Sequence, residues 1–285
     1  MEVLSLWEVL RFHSKKRGYP ISNEEANLSK QYRLVSWNVN GLRAVMKKGF
    51  FDWFDEAQWD CVGLQETKIS AHQLTDEMTN RSGYHSHWSH AEKAGYSGTA
   101  VYSKEKPLEV SHGFGIEEFD SEGRIVTTRY KDFTLINIYY PNGQASPERL
   151  DYKMRFYDAL LEFAEDLRKQ GQKLVLCGDF NTAHKAIDLA RPKPNERSSG
   201  FLPQERAWMD KFVAAGYIDT LREFNEEKAQ YSWWSFRSNA RARNVGWRID
   251  YFFVSEELKE NLVSAEILTE VLGSDHCPVS LTLSI

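Results

Sequence analysis

The residues best suited to chemistry in this sequence are carboxylates, carboxamides and a histidine that stand at the ends of short apolar runs. In the stretch KLVLCGDFNTAH, Asp179 and Asn181 come directly after the apolar run 173–177. Comparable positions are taken by Asn38, Glu66, Tyr139 and the pair Asp275-His276. Gly, Asp and Asn are also the commonest turn formers, so a single motif of this kind predicts only a turn. Five unrelated turns are not expected to collect so many potential ligands, and the recurrence therefore favours one shared site.

These groups form a set of hard oxygen donors. The carboxylates are those of Glu66, Asp179 and Asp275, and the amides are those of Asn38 and Asn181. Such sets suit Mg²⁺ or Mn²⁺ rather than Zn²⁺. Because Mg²⁺ typically takes one or two carboxylates plus phosphate oxygens, a further carboxylate remains free to handle a proton. We expect Mg²⁺ as the cofactor, with Mn²⁺ able to substitute.

An aspartate and a histidine add a second kind of chemistry. Asp250 precedes His276 by 26 positions. An aspartate that accepts from one imidazole nitrogen fixes the tautomer and leaves the other nitrogen free to donate to a phosphoryl oxygen. Such a pair is often only a structural hydrogen bond, but its place beside the acidic groups favours function. A serine or cysteine nucleophile has little support, because the sequence contains no GxSxG motif.

Short strands and amphipathic helices must hold these groups in place. The hydrophobic pattern predicts strands over 33–37, 60–64, 84–89, 98–103, 124–130, 133–140, 173–177 and 249–254, and a last strand that contains 281–283. Helices are predicted over 49–57, 146–170 and 203–215. The buried face of the longest helix is predicted to comprise Leu150, Met154, Tyr157, Leu161, Ala164 and Leu167. Two loosely similar halves, each with strands and helices, indicate an α/β fold of two packed sheets with helices outside.

Composition and domain organisation limit the possible partners. The chain has 285 residues, of which 41% are hydrophobic and 27% charged, as in soluble globular proteins. The formal net charge of −5 argues against a general polyanion binder, but it permits a nucleic-acid enzyme whose acidic metal site offsets local basic patches. Candidates for such a basic face are Lys68, Arg149, Arg191, Arg197, Arg241 and Arg243.

Three widely spaced cysteines and the absence of a long apolar run bear on location. No CxxC motif occurs, and a reducing cytoplasm fits this pattern. No apolar run approaches the roughly 20 residues of a membrane span. We expect residues 1–31 to be an N-terminal extension, a short helix plus a linker, and residues 32–285 to be the catalytic domain.

Eight ordered motifs match one family closely. The sequence from about Arg33 to Ile285 resembles the exonuclease III family of apurinic/apyrimidinic endonucleases. The matching motifs are WNVNGLRA, LQETK, GYSGTAVYSK, EGRIV, CGDFNTAH, GFLPQERAW, NVGWRIDYFF and GSDHCP. The resemblance implies a four-layered α/β sandwich, with two packed mixed β-sheets flanked by helices. It implies base-excision repair by hydrolysis of the phosphodiester 5′ to an abasic site, leaving a 3′-hydroxyl and a 5′-deoxyribose phosphate.

The resemblance also assigns roles to particular residues. It implies that Glu66 is the main metal ligand, that Asp179 orients or deprotonates the attacking water, and that Tyr139 supports the phosphate or the leaving oxygen. Asn38, Asn181 and Asp275 join the metal site, while Asn181 and His276 hold the phosphate, with Asp250 behind His276. Contacts to the DNA are implied for Lys68, Arg124, Asn142, Arg149 and Asn195, and an apolar sugar pocket for Trp233, Trp247 and Ile249. The implied enzyme is a monomer that acts on double-stranded DNA, with accessory 3′–5′ exonuclease and 3′-phosphodiesterase activity.

Two other functions compete with this interpretation. A phosphatase or phosphodiesterase acting on lipid or inositol headgroups would keep the GDFN and SDH motifs but is expected to lack NVGWRIDYFF and the 200–208 stretch, and both are present. A DNA-binding module without catalysis is expected to have lost Glu66, Asp179 or His276, and all three are intact.

Overall fold

Short strands, the central ones buried on both faces, build two six-stranded sheets in residues 29–285, the part of the chain that the computed structural model describes. The strands are β1 (Gln31–Asn38), β2 (Cys61–Gln65), β3 (His85–Ser89), β4 (Thr99–Ser103), β5 (Glu109–His112), β6 (Ile125–Arg129), β7 (Thr134–Tyr139), β8 (Leu174–Asp179), β9 (Tyr217–Asp219), β10 (Asp250–Ser255), β11 (Leu262–Ile267) and β12 (Val279–Ser284). The first sheet has the order β11-β12-β1-β2-β4-β3, and the second has the order β5-β6-β7-β8-β10-β9.

Helices cover the outer faces of both sheets. They are α1 (Leu42–Met46), α2 (Phe50–Ala57), α3 (Asp76–Thr79), α4 (Glu117–Asp120), α5 (Pro147–Lys169), α6 (Pro192–Asn195), α7 (Pro203–Ala214) and α8 (Thr220–Phe224). Short 3₁₀ turns occupy Ala71–Gln73, Ala186–Asp188, Arg237–Asn239 and Glu256–Asn261. Within the described residues none of the helices has the length and apolar character that a membrane span requires.

Three apolar layers hold the two sheets and the outer helices together. Leu34, Val101 and Val175 belong to the core between the two sheets. The outer face of the first sheet packs against α2, whose Phe50, Phe51 and Phe54 are buried. The outer face of the second sheet packs against α5 and α7. The two mixed sheets flanked by helices confirm the predicted four-layered α/β sandwich.

Each sheet has one parallel strand pair at its centre, β1 with β2 and β7 with β8, and the other pairs are antiparallel. Parallel strands end at the same edge of a sheet, which is where α/β proteins commonly bind ligands. In the first sheet Asn38 is aligned with Gln65 at this edge. In the second sheet Tyr139 is aligned with Asp179, and the antiparallel strand β10 begins beside them with Asp250.

The buried face of α5 differs from the prediction. Ser146 caps this helix, because its hydroxyl accepts a hydrogen bond from the backbone N–H of Arg149 at 3.2 Å. The predicted core residues Leu150, Met154 and Leu167 are only half-buried. The residues that are buried are Tyr152, Lys153, Phe156, Tyr157, Leu160, Leu161 and Ala164. The aromatic rings provide the largest apolar area, so their packing decides which face of the helix turns inward.

Three strands were not predicted from the sequence. β5 and β9 have only four and three residues, β11 buries only Ala265, and each of the three lies at an edge of its sheet. Edge strands have only one neighbour and are often partly solvated, so their sequences carry a weak hydrophobic signal. The predicted N-terminal extension, residues 1–31, falls almost entirely outside the described residues and stays a prediction. The boundary of the catalytic domain at residue 32 also stays a prediction.

Candidate active site

The polar ends of the central strands meet around one open cleft of about 590 Å³. Asn38 and Glu66 come from the ends of β1 and β2, and Asp179 comes from the end of β8. Asp275 and His276 precede β12, which runs antiparallel to β1 and therefore begins at the same edge. The predicted site residues that line the cleft directly include Glu66, Tyr139, Asp179, Asn181, Asp275 and His276. Tertiary structure thus brings together residues from both halves of the chain.

A glycine sets the position of Asp179. Gly178 has a φ of +141°, and a Cβ atom there would lie 1.8 Å from the carbonyl oxygen of Ile138 on the neighbouring strand. Only glycine permits this approach of β8 to β7. Glu66 and Asn181 each have a φ of 51°, so the chain turns sharply at both strand ends. These turns carry the two side chains out of the sheets and towards the cleft.

The buried amide of Asn38 connects the two sheets. Its Nδ2 atom donates to Oε1 of Glu66 at 3.0 Å and to Oδ2 of Asp179 at 2.9 Å. Asn181 supplies two further donors to Asp179, with its backbone N–H at 2.8 Å and its Nδ2 at 3.2 Å. Asp179 is therefore held by hydrogen bonds from both sides, and its carboxylate has a fixed direction.

The predicted Asp–His pair is present and is supported by a serine. Nδ1 of His276 lies 2.9 Å from Oδ2 of Asp250, and the hydroxyl of Ser232 donates to the same oxygen at 2.6 Å. Burial alone lowers the pKa of His276, but the charge and hydrogen bond of Asp250 and the nearby carboxylates outweigh it and raise that pKa to about 10. The imidazole is therefore cationic at neutral pH.

The pKa of Asp179 differs from that of its neighbours. Burial raises the pKa of Asp179 to about 7, against the lowering effect of the cationic His276. Burial also acts on Glu66, but Lys68 and Asn38 outweigh it and leave the pKa of Glu66 lowered. The pKa of Asp275 is lowered as well, because His276 and the hydrogen bonds from Asn40 and Trp233 outweigh burial. The site therefore contains two firmly ionised carboxylates beside one that titrates near neutral pH.

The donor set fits a hard divalent ion. Glu66 is anionic and reaches the cleft, where its carboxylate contacts Asn38, Lys68 and the hydroxyl of Tyr139. A second cluster, of Asp179, Asp250 and His276, brings its ligand atoms within 4.8 Å of one another. In that cluster Asp250 already holds Nδ1 of His276. The Glu66 side, which offers oxygen donors only, is therefore the better match to Mg²⁺ or Mn²⁺ chemistry.

Two indoles and an isoleucine, Trp233, Trp247 and Ile249, form the apolar side of the cleft, and their role as a sugar pocket stays a prediction. The rings of Trp233 and Trp247 lie 6.4 Å apart at 81° to each other. Ile249 is buried beside them, and the pair is backed by Phe201. Nε1 of Trp233 donates to Oδ2 of Asp275 at 3.0 Å, so the apolar wall is tied to the acidic side.

The predicted DNA-contacting residues fall into two groups. Asn142 and Asn195 line the cleft, and Lys68 lies beside it as the partner of Glu66 at 2.9 Å. Arg124 and Arg149 lie behind the cleft, where both pair with Glu122. Contacts between these five residues and DNA stay predictions.

Arg124 is nearly inaccessible and supports Tyr139. Its side chain is 2% exposed, its guanidinium carbon lies 4.7 Å from the centre of the Tyr139 ring, and Nη1 donates to the Tyr139 carbonyl at 2.9 Å. Burial and the charge of Glu66 raise the pKa of Tyr139 well above its usual value, so its hydroxyl keeps its proton at neutral pH.

The sequence did not reveal three supporting residues. Ser232 holds Asp250 by a hydrogen bond, and the sequence around Ser232 contains no motif that would indicate this role. The buried ion pair of Lys153 with Glu205 lies beneath the cleft. Lys153 stands four residues before Tyr157 and seven before Leu160, so its place on the buried helical face was the available signal.

Comparisons with known proteins agree with this geometry. The model of the Endonuclease/Exonuclease/phosphatase family matches residues 35–276. An exodeoxyribonuclease of Bacillus subtilis (strain 168) is 47% identical over 255 residues, which cover 89% of this chain and 100% of that protein. DNA repair nuclease APEX1 of Danio rerio is 42% identical over 259 residues, 89% of this chain and 82% of that protein. The structure of a 3′ phosphatase, NExo from Neisseria, bound to product DNA hairpin, matches with a TM-score of 0.83 and 28% identity, covering 89% of this chain and 100% of that one.

Proposed function

Because this chain belongs to the endonuclease/exonuclease/phosphatase family, we propose that it is a base-excision repair nuclease that hydrolyses the phosphodiester 5′ to an abasic site in double-stranded DNA. The products are a 3′-hydroxyl and a 5′-deoxyribose phosphate, and 3′–5′ exonuclease and 3′-phosphodiesterase activities accompany the main reaction. One observation carries the proposal. Asp179, held by Asn38 and Asn181, faces the cationic His276 at the floor of a cleft that two indoles wall.

Asp179 is the proton acceptor in this proposal. Its pKa of about 7 lets it accept a proton from water at physiological pH, whereas the more acidic Glu66 and Asp275 would hold that proton poorly. The hydrogen bonds from Asn38 and Asn181 fix its orientation. A water that lies between Asp179 and the phosphorus would therefore be both aligned and activated.

His276 and Asn181 hold the phosphate. The cationic imidazole offers Nε2–H to a phosphoryl oxygen, because Nδ1 is engaged by Asp250. Asn181 lines the cleft, and its amide lies beside Asp179. Positive charge and hydrogen-bond donors placed in advance stabilise the negative charge that grows on the phosphate during attack.

Glu66, with Asn38 and Asp275 nearby, is the place for Mg²⁺, with Mn²⁺ as a substitute. A divalent ion bound there would neutralise charge on the phosphate and on the leaving oxygen. The neutral hydroxyl of Tyr139 lies beside Glu66 on this side and can hydrogen-bond the phosphate or the leaving oxygen. Arg124 keeps the Tyr139 ring in position by stacking on it.

The pocket of Trp233, Trp247 and Ile249 accounts for the choice of substrate. An abasic sugar has no base to unstack or unpair, so rotating it out of the helix costs less than rotating an intact nucleotide. A narrow apolar pocket would accept bare deoxyribose and exclude a sugar that still carries a base. We propose that the enzyme acts as a monomer in the cytoplasm, where it has access to the DNA.

A single-turnover assay on a defined duplex tests the function. The substrate carries one abasic site and is incubated with Mg²⁺ or with EDTA, beside an undamaged duplex of the same sequence. We expect one cut, immediately 5′ to the lesion, only with the metal and with strong preference over undamaged DNA. Equal cleavage of both duplexes, or no metal-dependent cut, would contradict the proposal.

A further inference from the structure

A lysine is completely buried in α5, beneath the cleft. The side chain of Lys153 is 0% exposed, and so is that of its partner Glu205. The two are joined by a hydrogen bond of 2.6 Å from Nζ to Oε1. Burial lowers the pKa of Lys153, and the charge of Glu205 opposes that effect. Such a pair adds little net stability, because the loss of hydration roughly offsets the attraction between the charges. Its presence therefore calls for another explanation.

The other two donors of Lys153 hold the turn that carries Asn181. Nζ donates to the carbonyl oxygen of Asn181 at 2.8 Å and to Oγ1 of Thr182 at 2.9 Å. All three N–H groups of the ammonium are thus used. Asn181 has a φ of 51°, a left-handed conformation that costs free energy for a residue other than glycine. The bond from Lys153 to its carbonyl stabilises that turn, which carries the amide of Asn181 to the cleft.

Glu205 holds the adjoining loop segment, residues 199–202, in the same way. Its Oε2 atom accepts from the backbone N–H groups of Gly200 at 2.6 Å and Leu202 at 3.0 Å, and its Oε1 accepts from the hydroxyl of Ser199 at 2.9 Å. Gly200 lies against the pocket, because a Cβ atom there would come within 3.2 Å of Cζ3 of Trp247. One carboxylate thus fixes the loop segment that supports the indole.

We propose that Lys153 and Glu205 are a positioning pair that sets Asn181 and the Gly200–Trp247 wall at a fixed separation. A chain of contacts runs from Asn181 through Lys153 and Glu205 to Gly200. The ion pair therefore links the phosphate-binding and sugar-binding sides of the cleft, alongside a direct backbone hydrogen bond of 2.8 Å that Gly200 accepts from Ala183. This inference rests on the proposed function, and it adds that substrate positioning is controlled from below the cleft by residues that do not line it.

Kinetics in a double-mutant cycle test the inference. Lys153→Met removes the charge and the three bonds while keeping a long apolar side chain. We expect kcat at abasic sites to fall at least tenfold with KM changed less than threefold, because misplaced groups act mainly on the transition state. When Lys153→Met is added to the Asn181→Ala variant, we expect kcat to fall less than threefold further. Lys153→Arg should restore part of the rate.

Leu160→Ala is the matched control. Leu160 is fully buried on the same helix and belongs to the apolar core rather than to the ion pair. The Leu160→Ala substitution should lower the melting temperature while leaving kcat per folded molecule within threefold of wild type. Rates are measured well below the melting temperature of every variant. If Lys153→Met lowers kcat by the same factor in the wild type and in the Asn181→Ala variant, the inference is overturned, even if the wild type cleaves abasic DNA.

Nuclear magnetic resonance provides a readout that does not depend on activity. In Lys153→Met and in Glu205→Gln we expect the side-chain amide of Asn181 and the indole N–H of Trp247 to shift together, and Leu160→Ala should move neither. If both resonances stay in place in the two folded variants, the pair does not position the cleft. This result stands whether or not the enzyme cleaves abasic DNA, so failure of the inference can be told from failure of the proposed function.

Discussion

Nε2 of His276 lies 4.0 Å from Oδ2 of Asp179, so the cationic imidazole and the carboxylate with the raised pKa face each other across the floor of the cleft. His276 comes from the segment just before β12 in one sheet, and Asp179 comes from the end of the central strand β8 in the other. Each carries the charge state that the proposed reaction needs. Asp179 can take a proton near neutral pH, and His276 can keep one.

Asp179→Asn should reduce kcat at abasic sites by at least 10³-fold and leave DNA affinity intact or higher. The change removes the proton acceptor and one negative charge beside a polyanion, while the amide keeps the size of the side chain. Single-turnover rates and binding titrations on the same abasic duplex measure the two effects. Turnover near the wild-type level at saturating metal would remove Asp179 from the role of base.

Trp247→Ala should lower discrimination more than stability. Trp247 is half-buried, so we expect a destabilisation smaller than the ~3–5 kcal/mol typical of a buried aromatic residue. Removal of the indole opens the pocket, and cleavage at abasic sites should fall relative to attack on undamaged DNA. The measurement is the ratio of the two kcat/KM values, with Tm as the control. An unchanged ratio in a folded variant would exclude Trp247 from recognition.

Binding to DNA should weaken steeply with salt despite the net charge of −5. Arg243 is exposed and lines the cleft, whereas Arg149 is paired with Glu122. Each phosphate contact contributes a slope of about −0.9 to a plot of log K against log salt. Arg243→Ala should therefore make the slope less negative by about 0.9.

Arg129→Ala is the control for that experiment. Arg129 pairs with Glu109 and ends β6, whose other end lies next to Arg124 beneath the cleft. It should leave the salt dependence unchanged. A slope near zero for the wild type would indicate that the arginines are only a solvated surface.

The stability of the metal-free protein should depend on pH through His276. The folded-state pKa is about 10, above the ordinary value of 6.5, so the folded state binds the proton more tightly. The stabilisation is therefore complete below pH 6.5 and is lost as the pH rises towards 10. The difference in free energy of unfolding between wild type and His276→Asn, measured in EDTA, should be largest near pH 6 and smallest near pH 10.

Asp250→Asn tests the physical cause of that pH dependence. The carboxylate of Asp250 is the main group that raises the pKa of His276. In the Asp250→Asn background the same comparison should vary much less with pH. A pH-independent difference in the wild-type background would mean that His276 is not held as an imidazolium.

The local pattern of the sequence was sufficient to identify the central strands and the chemistry at their ends. Apolar runs predicted β1, β2, β7 and β8, because a buried strand must be apolar whatever it packs against. The polar residues at the ends of those strands could also be identified from the sequence. Polar residues at the end of a buried strand stand at a sheet edge in any α/β arrangement.

Only the tertiary structure decided which of these groups touch. Asn38 and Asp179 are 141 positions apart and bond across two sheets, a contact that depends on how the sheets pack. Packing also turned α5 so that Lys153 lies inside, and it placed Arg124 behind Tyr139 rather than in the cleft. Sequence periodicity gives the faces of an element, but the side-chain volumes of its neighbours select the face that is buried and the charges that must be paired there.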